Sequence, residues 1–130
     1  MSPPPILVVD DGPMNRALLC HQLARLGLVA HAVEDAGAAL AALARERYAV
    51  VLMDCMMPGI DGAEACRRLR ALEQASGAAR TPVLALSAAR GDDARARCLA
   101  AGMDGYLEKP LSLAALAAAL APWTGAASPN

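Results

Sequence analysis

Short apolar runs alternate along the chain with segments in which apolar residues recur every three or four positions, and this alternation occurs five times. The runs are β-branched or leucine-rich, as in Ile6-Leu7-Val8-Val9, which is typical of buried strands. The intervening periodicity predicts amphipathic helices. Alternating strands and helices of this kind indicate an α/β fold, in which crossover helices cover a parallel sheet.

The strands are predicted at residues 6–9, 29–33, 48–53, 82–86 and 105–107. The helices are bounded by recognisable residues: Gly12-Pro13 opens the first, Gly27 ends it, and Gly102 ends the fourth, which spans residues 92–101. Asp61 and Ser112 are predicted N-caps of the third and fifth helices. In the third helix, the pattern predicts that one face is turned inward and consists of Ala65, Cys66, Leu69 and Leu72. It predicts that the other face is in solvent and carries Arg67, Arg68 and Arg70.

Size and charge limit the possible functions. The 130 residues predict one domain, which we place at residues 1–122, followed by a tail or linker at 123–130 that is rich in small and polar residues. With 12 Lys and Arg against 13 Asp and Glu, the net charge is -1, so direct nucleic-acid binding is not expected. Neither a signal peptide nor an apolar run of about 20 residues is present, so we predict a cytoplasmic domain without membrane contact.

Four cysteines are scattered through the sequence without a Cys-x-x-Cys pair, and neither histidine shares a metal-ligand spacing with them. We therefore expect all four cysteines to be free thiols that are buried like small hydrophobic side chains, in a reducing compartment. They are Cys20, Cys55, Cys66 and Cys98.

Acidic residues follow two of the apolar runs directly: Asp10-Asp11 after the first, and Asp54 after the third. An acidic pair that opens a helix is in isolation more often a cap. A carboxylate ending a buried strand is costly unless it is paired or meets a metal. In a flavodoxin-like sheet of strand order 2-1-3-4-5, the ends of strands one and three adjoin, so the three carboxylates converge. Mg²⁺, or Mn²⁺ in its place, suits such oxygen ligands.

Two further residues with suitable chemistry end neighbouring strands. Lys109 follows the fifth strand and would place a positive charge beside a phosphoryl group, although most lysines are solvated surface charges. Ser87 ends the fourth strand, where its hydroxyl can donate to a phosphoryl oxygen or simply cap a helix.

These motifs resemble the receiver domain of bacterial response regulators over nearly the whole chain, from Ile6 to about Leu120. Four segments carry the resemblance, namely Val8-Val9-Asp10-Asp11, the run from Met53 to Gly62 that includes Met57-Pro58-Gly59, Leu86-Ser87-Ala88, and Gly105-Tyr106-Leu107-Glu108-Lys109-Pro110. Several motifs in the right order are far more specific than any one alone.

The resemblance implies that Asp54 takes a phosphoryl group from a phosphohistidine and forms an acyl phosphate. Asp10 and Asp11 would hold Mg²⁺ together with Asp54 and the backbone carbonyl of Met56. As an isolated domain, the chain is then not an enzyme, although it assists its own phosphorylation and dephosphorylation. The partners implied are a histidine kinase, a histidine phosphotransfer domain, or both.

In the same family, Lys109 and Ser87 would bind the phosphoryl oxygens, and Tyr106 resembles the aromatic switch residue that turns inward when the Ser87 hydroxyl moves to the phosphate. A half-buried strand tyrosine is the plainer role for Tyr106. The resemblance also implies a cis bond between Lys109 and Pro110.

The surface formed by the fourth helix, fifth strand and fifth helix is the expected output face, with Arg90, Arg95 and Arg97 on or near it. Arginines on a helix are usually just its solvated side. Met56 and Ala89 flank the path of an attacking water and offer no group to orient it. We therefore predict slow self-dephosphorylation.

The context favoured is the receiver of a hybrid histidine kinase, because the exit from residue 73 to 82 and the run from 51 to 62 resemble those receivers most. A stand-alone single-domain response regulator is the alternative. A docking module that is never phosphorylated fits less well with the intact set of site residues. An aspartate-nucleophile phosphatase of the haloacid dehalogenase type would need a second aspartate where Met56 stands.

Overall fold

The computed structural model describes residues 4–55, 57, 59–87, 92–109 and 111–124. Strands and helices alternate through these ranges. The strands are β1 (Ile6–Val9), β2 (Ala30–Val33), β3 (Val50–Asp54), β4 (Val83–Ser87) and β5 (Gly105–Glu108), and the helices are α1 (Pro13–Arg25), α2 (Ala36–Arg45), α3 (Gly62–Ser76), α4 (Asp92–Ala100) and α5 (Leu113–Thr124).

The five strands form one parallel sheet of order β2-β1-β3-β4-β5, which confirms the predicted flavodoxin-like topology. The two faces of the sheet pack into separate apolar clusters. One includes Leu7, Val51 and Met53, and the other includes Ile6, Val8 and Leu52. Because the central strands are buried on both faces, their sequences are continuously apolar and do not alternate with polar residues.

The predicted helix boundaries are confirmed where a specific residue sets them. The carboxylate of Asp61 accepts a hydrogen bond from Glu64 N at 2.9 Å, and the Ser112 hydroxyl accepts one from Ala115 N at 3.0 Å. Pro13 occupies the first turn of α1. Gly27, just beyond α1, has a φ of 78°, which costs glycine little and a side-chain-bearing residue more.

Two side chains of α3 depart from the prediction. Leu72, expected inward, is 53% exposed, because the helix face that meets the sheet runs through Cys66, Leu69 and Glu73. Arg70, expected in water, has a side chain only 15% exposed. It lies between the turns of Cys66 and Glu73, at the edge of the buried face, where its ion pairs compensate for the loss of water.

Arg70 forms the centre of an ion-pair network at the edge of the sheet far from the carboxyl ends of the strands. Its guanidinium donates to Glu73 at 2.9 Å, to Asp104 at 3.1 Å and to the carbonyl of Thr81 at 2.8 Å. These bonds join α3 to the residues that precede β4 and β5, so Arg70 belongs to the structural framework.

Several predictions fall on residues outside the described ranges: the carbonyl of Met56, Ala89, Arg90, the Lys109-Pro110 bond and residues 125–130. The last helix continues to Thr124, two residues past Pro122. Among the described residues, no helix is both long and apolar enough to cross a membrane.

Candidate functional site

The carboxyl ends of β1 and β3 bring two carboxylates together. These strands are neighbours with Val9 opposite Met53, so Asp10 and Asp54 come next in the same register. Asp10 is fully buried and Asp54 is 5% exposed. Burial of two acidic side chains side by side is costly unless positive charge is close, and this position therefore has to be electrostatically compensated.

Asp11 completes an acidic cluster. One carboxylate oxygen from each of Asp10, Asp11 and Asp54 lies within 4.8 Å of the others, and Asp11 is exposed to solvent while its two companions are buried. Oxygen ligands in this number, open to water on one side, suit a Mg²⁺ ion that keeps several of its waters. The sequence prediction that the three carboxylates converge is confirmed.

Lys109 supplies the compensating charge. Its ammonium nitrogen lies 3.0 Å from Oδ2 of Asp10 and 3.4 Å from Oδ1 of Asp54. Burial alone would lower the pKa of Lys109, but the hydrogen bond with Asp10 and the charges of Asp54 and Asp10 raise it above its ordinary value. The backbone N–H of Lys109 donates to the carbonyl of Ser87 at 2.8 Å, which fixes where the side chain starts.

Ser87 and Tyr106 lie on the neighbouring strands β4 and β5. Ser87 is the last residue of β4, is 1% exposed, and lies one position after Leu86, which pairs with Asp54. Tyr106 is half-buried on β5 and packs against the apolar cluster that contains Met53. The sheet therefore carries the hydroxyl of Ser87 to the same edge as the carboxylates.

Comparison with known proteins identifies the family. Residues 6–121 match the response regulator receiver domain. The chain belongs to that family. It is 39% identical to sensor protein GacS of Pseudomonas syringae pv. syringae over 98% of this chain, and 45% identical to virulence sensor protein BvgS of Bordetella pertussis over 85%. It spans only 14% and 9% of the length of those relatives, respectively.

Among solved structures, the fold is similar to the receiver domain of sensor histidine kinase PA1611 from Pseudomonas aeruginosa PAO1. The two chains are 38% identical, the match covers 96% of this chain and 100% of the other, and the TM-score is 0.81. That receiver was crystallised with a magnesium ion coordinated in its active site cleft. The chain described here is thus a phosphoacceptor receiver domain, homologous to the receivers of hybrid sensor kinases.

Three groups that support the receiver's acidic loop were missed by sequence reasoning. Oδ1 of Asp10 accepts a hydrogen bond from Gly12 N at 2.8 Å, and the Asp10 carbonyl accepts one from the Arg16 guanidinium at 2.8 Å. The Gln22 amide donates to the carbonyl of Leu111 at 2.9 Å and so ties α1 to the segment just after Lys109. Arginine and glutamine on a helix give no sequence signal of such a role.

Gln22 borders a cavity of about 100 Å³ that Lys109 and Leu111 also line. Its Oε1 is buried and has no hydrogen-bond partner among the described residues. The hydrogen bond from the same amide to the Leu111 carbonyl fixes the orientation of the side chain beside this cavity.

The loop after β3 is held from two sides. Gly62, the first residue of α3, packs so closely on Asp54 that a Cβ there would lie 2.6 Å from the Asp54 carbonyl oxygen. Arg97 of α4 donates to Oδ2 of Asp61 at 2.7 Å. Arg97 is therefore not only solvated, as an arginine on a helix usually is, but also connects α4 to the loop that follows Asp54.

Proposed function

We propose that this receiver takes a phosphoryl group from a phosphohistidine onto Asp54 and thereby switches its output face. The observation that carries the assignment is the position of Asp54: its carboxylate ends a buried strand between two further aspartates and the ammonium of Lys109, 3.4 Å away. Asp10 is fully buried and Asp11 is exposed on the loop, whereas Asp54 is 5% exposed and lies between them beside Lys109. Asp54 is thus the carboxylate best placed to act as nucleophile.

In the transfer, an oxygen of Asp54 attacks phosphorus in line with the leaving imidazole nitrogen, so that an O–P bond forms as the P–N bond breaks. Asp10, Asp11 and Asp54 would hold Mg²⁺, with Mn²⁺ as a substitute and with the carbonyl of Met56 as a further ligand. The bound metal would neutralise charge on the phosphoryl oxygens. The magnesium ion in the PA1611 receiver supports this assignment.

Lys109 and Ser87 would then contact the transferred group. The ammonium of Lys109, which bridges Asp10 and Asp54, is within reach of a phosphoryl oxygen on Asp54 after a small movement. The Ser87 hydroxyl would donate to a second oxygen, and Tyr106 would turn toward the space that it leaves. Because Lys109 already lies beside Asp54 before the reaction, catalysis is mainly positioning and charge neutralisation.

The exposed apolar residues of α1 support a protein donor that approaches over the acidic site. Met14 is 85% exposed and Leu18 is 54% exposed, one helical turn apart, and Leu18 borders the same cavity as Lys109. Apolar residues at this spacing can pack on a helix of a partner. We assign that partner as a histidine kinase or a histidine phosphotransfer domain, in the cytoplasm.

The preferred parent is a hybrid histidine kinase, with the receiver at residues 1–122 and a linker from 123 to 130. The relatives that are named as sensor proteins support this context, because the chain matches only a small part of each. A stand-alone response regulator is the alternative. The receiver would contact neither nucleic acid nor membrane directly.

The test is intact mass after incubation with acetyl phosphate, with and without Mg²⁺. We expect a metal-dependent gain of one phosphoryl group that is lost in Asp54→Asn and retained in Asp93→Asn, which changes an exposed aspartate of α4. A gain that persists in Asp54→Asn, or that needs no metal, would contradict the proposal.

A further inference from the structure

Two cysteines that lie far apart in the sequence meet in the core. Cys55 directly follows Asp54, Cys98 lies on α4, and their sulfur atoms are 3.0 Å apart. Cys55 is 6% exposed and Cys98 is 2% exposed. Since sulfurs in a disulfide are about 2.05 Å apart, the pair needs an approach of only about 1 Å to become covalently linked.

The surroundings of the two thiols slow their reaction with an oxidant. Burial raises the pKa of the Cys55 thiol, and its hydrogen bond with Cys98 raises it further. The positive charge of Arg97 acts in the opposite direction. Because both sulfur atoms are buried, oxidation is slow unless peroxide is abundant or α4 opens.

We propose that Cys55 and Cys98 form a reversible oxidation site whose disulfide fastens α4 to the end of β3. Hydrogen peroxide is the oxidant. One thiol gives up its proton and the thiolate attacks a peroxide oxygen. The O–O bond breaks, a sulfenic acid forms, and the departing hydroxide takes up that proton to become water. The second sulfur then displaces the sulfenic oxygen as water. Overall, two thiols and one peroxide give one disulfide and two waters.

The disulfide would restrict the element that couples the site to the output face. The ion pair between Arg97 and Asp61 already joins α4 to the loop after β3, but a single exposed ion pair breaks easily. A covalent link one residue after Asp54 would keep α4 in place where the ion pair would break. Oxidation therefore holds α4 in its present arrangement and slows phosphorylation. The effect on phosphorylation rests on the proposed function, whereas the formation of the disulfide does not.

The first experiment treats the folded chain with hydrogen peroxide, alkylates remaining thiols after denaturation and maps the peptides by mass spectrometry. We expect a loss of about 2 Da, a cross-linked peptide containing Cys55 and Cys98, and reversal by a thiol reductant. Cys66 is the internal control: it is buried too, but no thiol hydrogen bond to it occurs among the described residues. Pairing with Cys20 or Cys66, or no loss of mass, would overturn the proposal.

The second experiment measures the rate of phosphorylation by acetyl phosphate for oxidised and reduced protein. We expect a severalfold lower rate after oxidation, restored by reduction, and no effect of peroxide on Cys98→Ala or, should that variant fold poorly, on Cys55→Ala. Cys66→Ala should respond as the native chain does. An unchanged rate in cross-linked protein would overturn the restriction of α4. Absence of phosphorylation in the reduced protein would instead contradict the proposed function while leaving the mapped disulfide in place.

Discussion

Replacing Gly62 with alanine tests how closely α3 packs on the end of β3 at Asp54. The added Cβ would lie 2.6 Å from the carbonyl oxygen of Asp54 and 3.1 Å from the Cα of Cys55, both backbone atoms that cannot rotate away. Ordinary contact begins near 3.4 Å, so the helix must retreat by about 0.8 Å. Gly62 N also donates to the Cys55 carbonyl at 3.3 Å, and that bond lengthens as the helix moves.

The magnitude follows from two opposing effects. Overpacking of a tight contact costs roughly 1–3 kcal/mol, whereas removing a helical glycine gains up to about 1 kcal/mol. We therefore expect Gly62→Ala to lose about 1–2 kcal/mol of unfolding free energy and, because the backbone of Asp54 shifts, to be phosphorylated more slowly.

Gly37→Ala is the matched control, since Gly37 also lies in the first turn of a helix. A Cβ there meets only the Asp35 carboxylate at 3.5 Å, so the substitution should be neutral or stabilise by up to about 1 kcal/mol. Urea unfolding followed by circular dichroism measures both variants. If Gly62→Ala were as stable as Gly37→Ala, the close contact with Asp54 would not constrain the loop and the reasoning would fail.

Three further substitutions test other contacts. Arg70→Met should lose about 2–4 kcal/mol in urea unfolding because the buried carboxylate of Glu73 loses the positive charge that compensates it. Arg67→Met, with its side chain 51% exposed, should change stability by less than about 0.5 kcal/mol. Lys109→Met should have a lower free energy of unfolding than the native chain at pH 8. The difference in unfolding free energy should shrink above about pH 10.5, because a lysine with a raised pKa contributes stability that is lost as pH rises through that pKa. A difference that stays constant with pH would contradict this. Gln22→Met should slow phosphorylation by acetyl phosphate severalfold without lowering stability, unlike His21→Met, which alters an exposed neighbour.

The sheet could be predicted from the sequence because its central strands are apolar enough to be recognised alone, and the strand order was taken from the flavodoxin-like sheet. Polar residues at strand ends could also be placed, since the carboxyl ends of parallel strands meet at one edge. The side chains that support the site could not be placed from the sequence. Arg70 and Arg67 look alike in sequence, and only the three-dimensional position of Asp104 distinguishes them.

The same limit explains the cysteines. Three of them are buried, as expected for free cysteines, and Cys20 is partly exposed. The proximity of Cys55 and Cys98 depends on how α4 packs beside α3 and β5, which no local pattern in the sequence encodes. Leu72 was wrongly placed for a related reason: helical periodicity marks an apolar stripe but does not fix its edges.

The central claim, that Asp54 carries the phosphoryl group, is tested most directly by chemical trapping. Borohydride reduces an aspartyl phosphate to homoserine, which changes the mass of one residue and leaves free carboxylates untouched. After incubation with acetyl phosphate and Mg²⁺, peptide mapping should find homoserine at position 54 alone. Homoserine at Asp10 or Asp11, or a phosphoryl group that survives reduction on Ser87, would contradict the account.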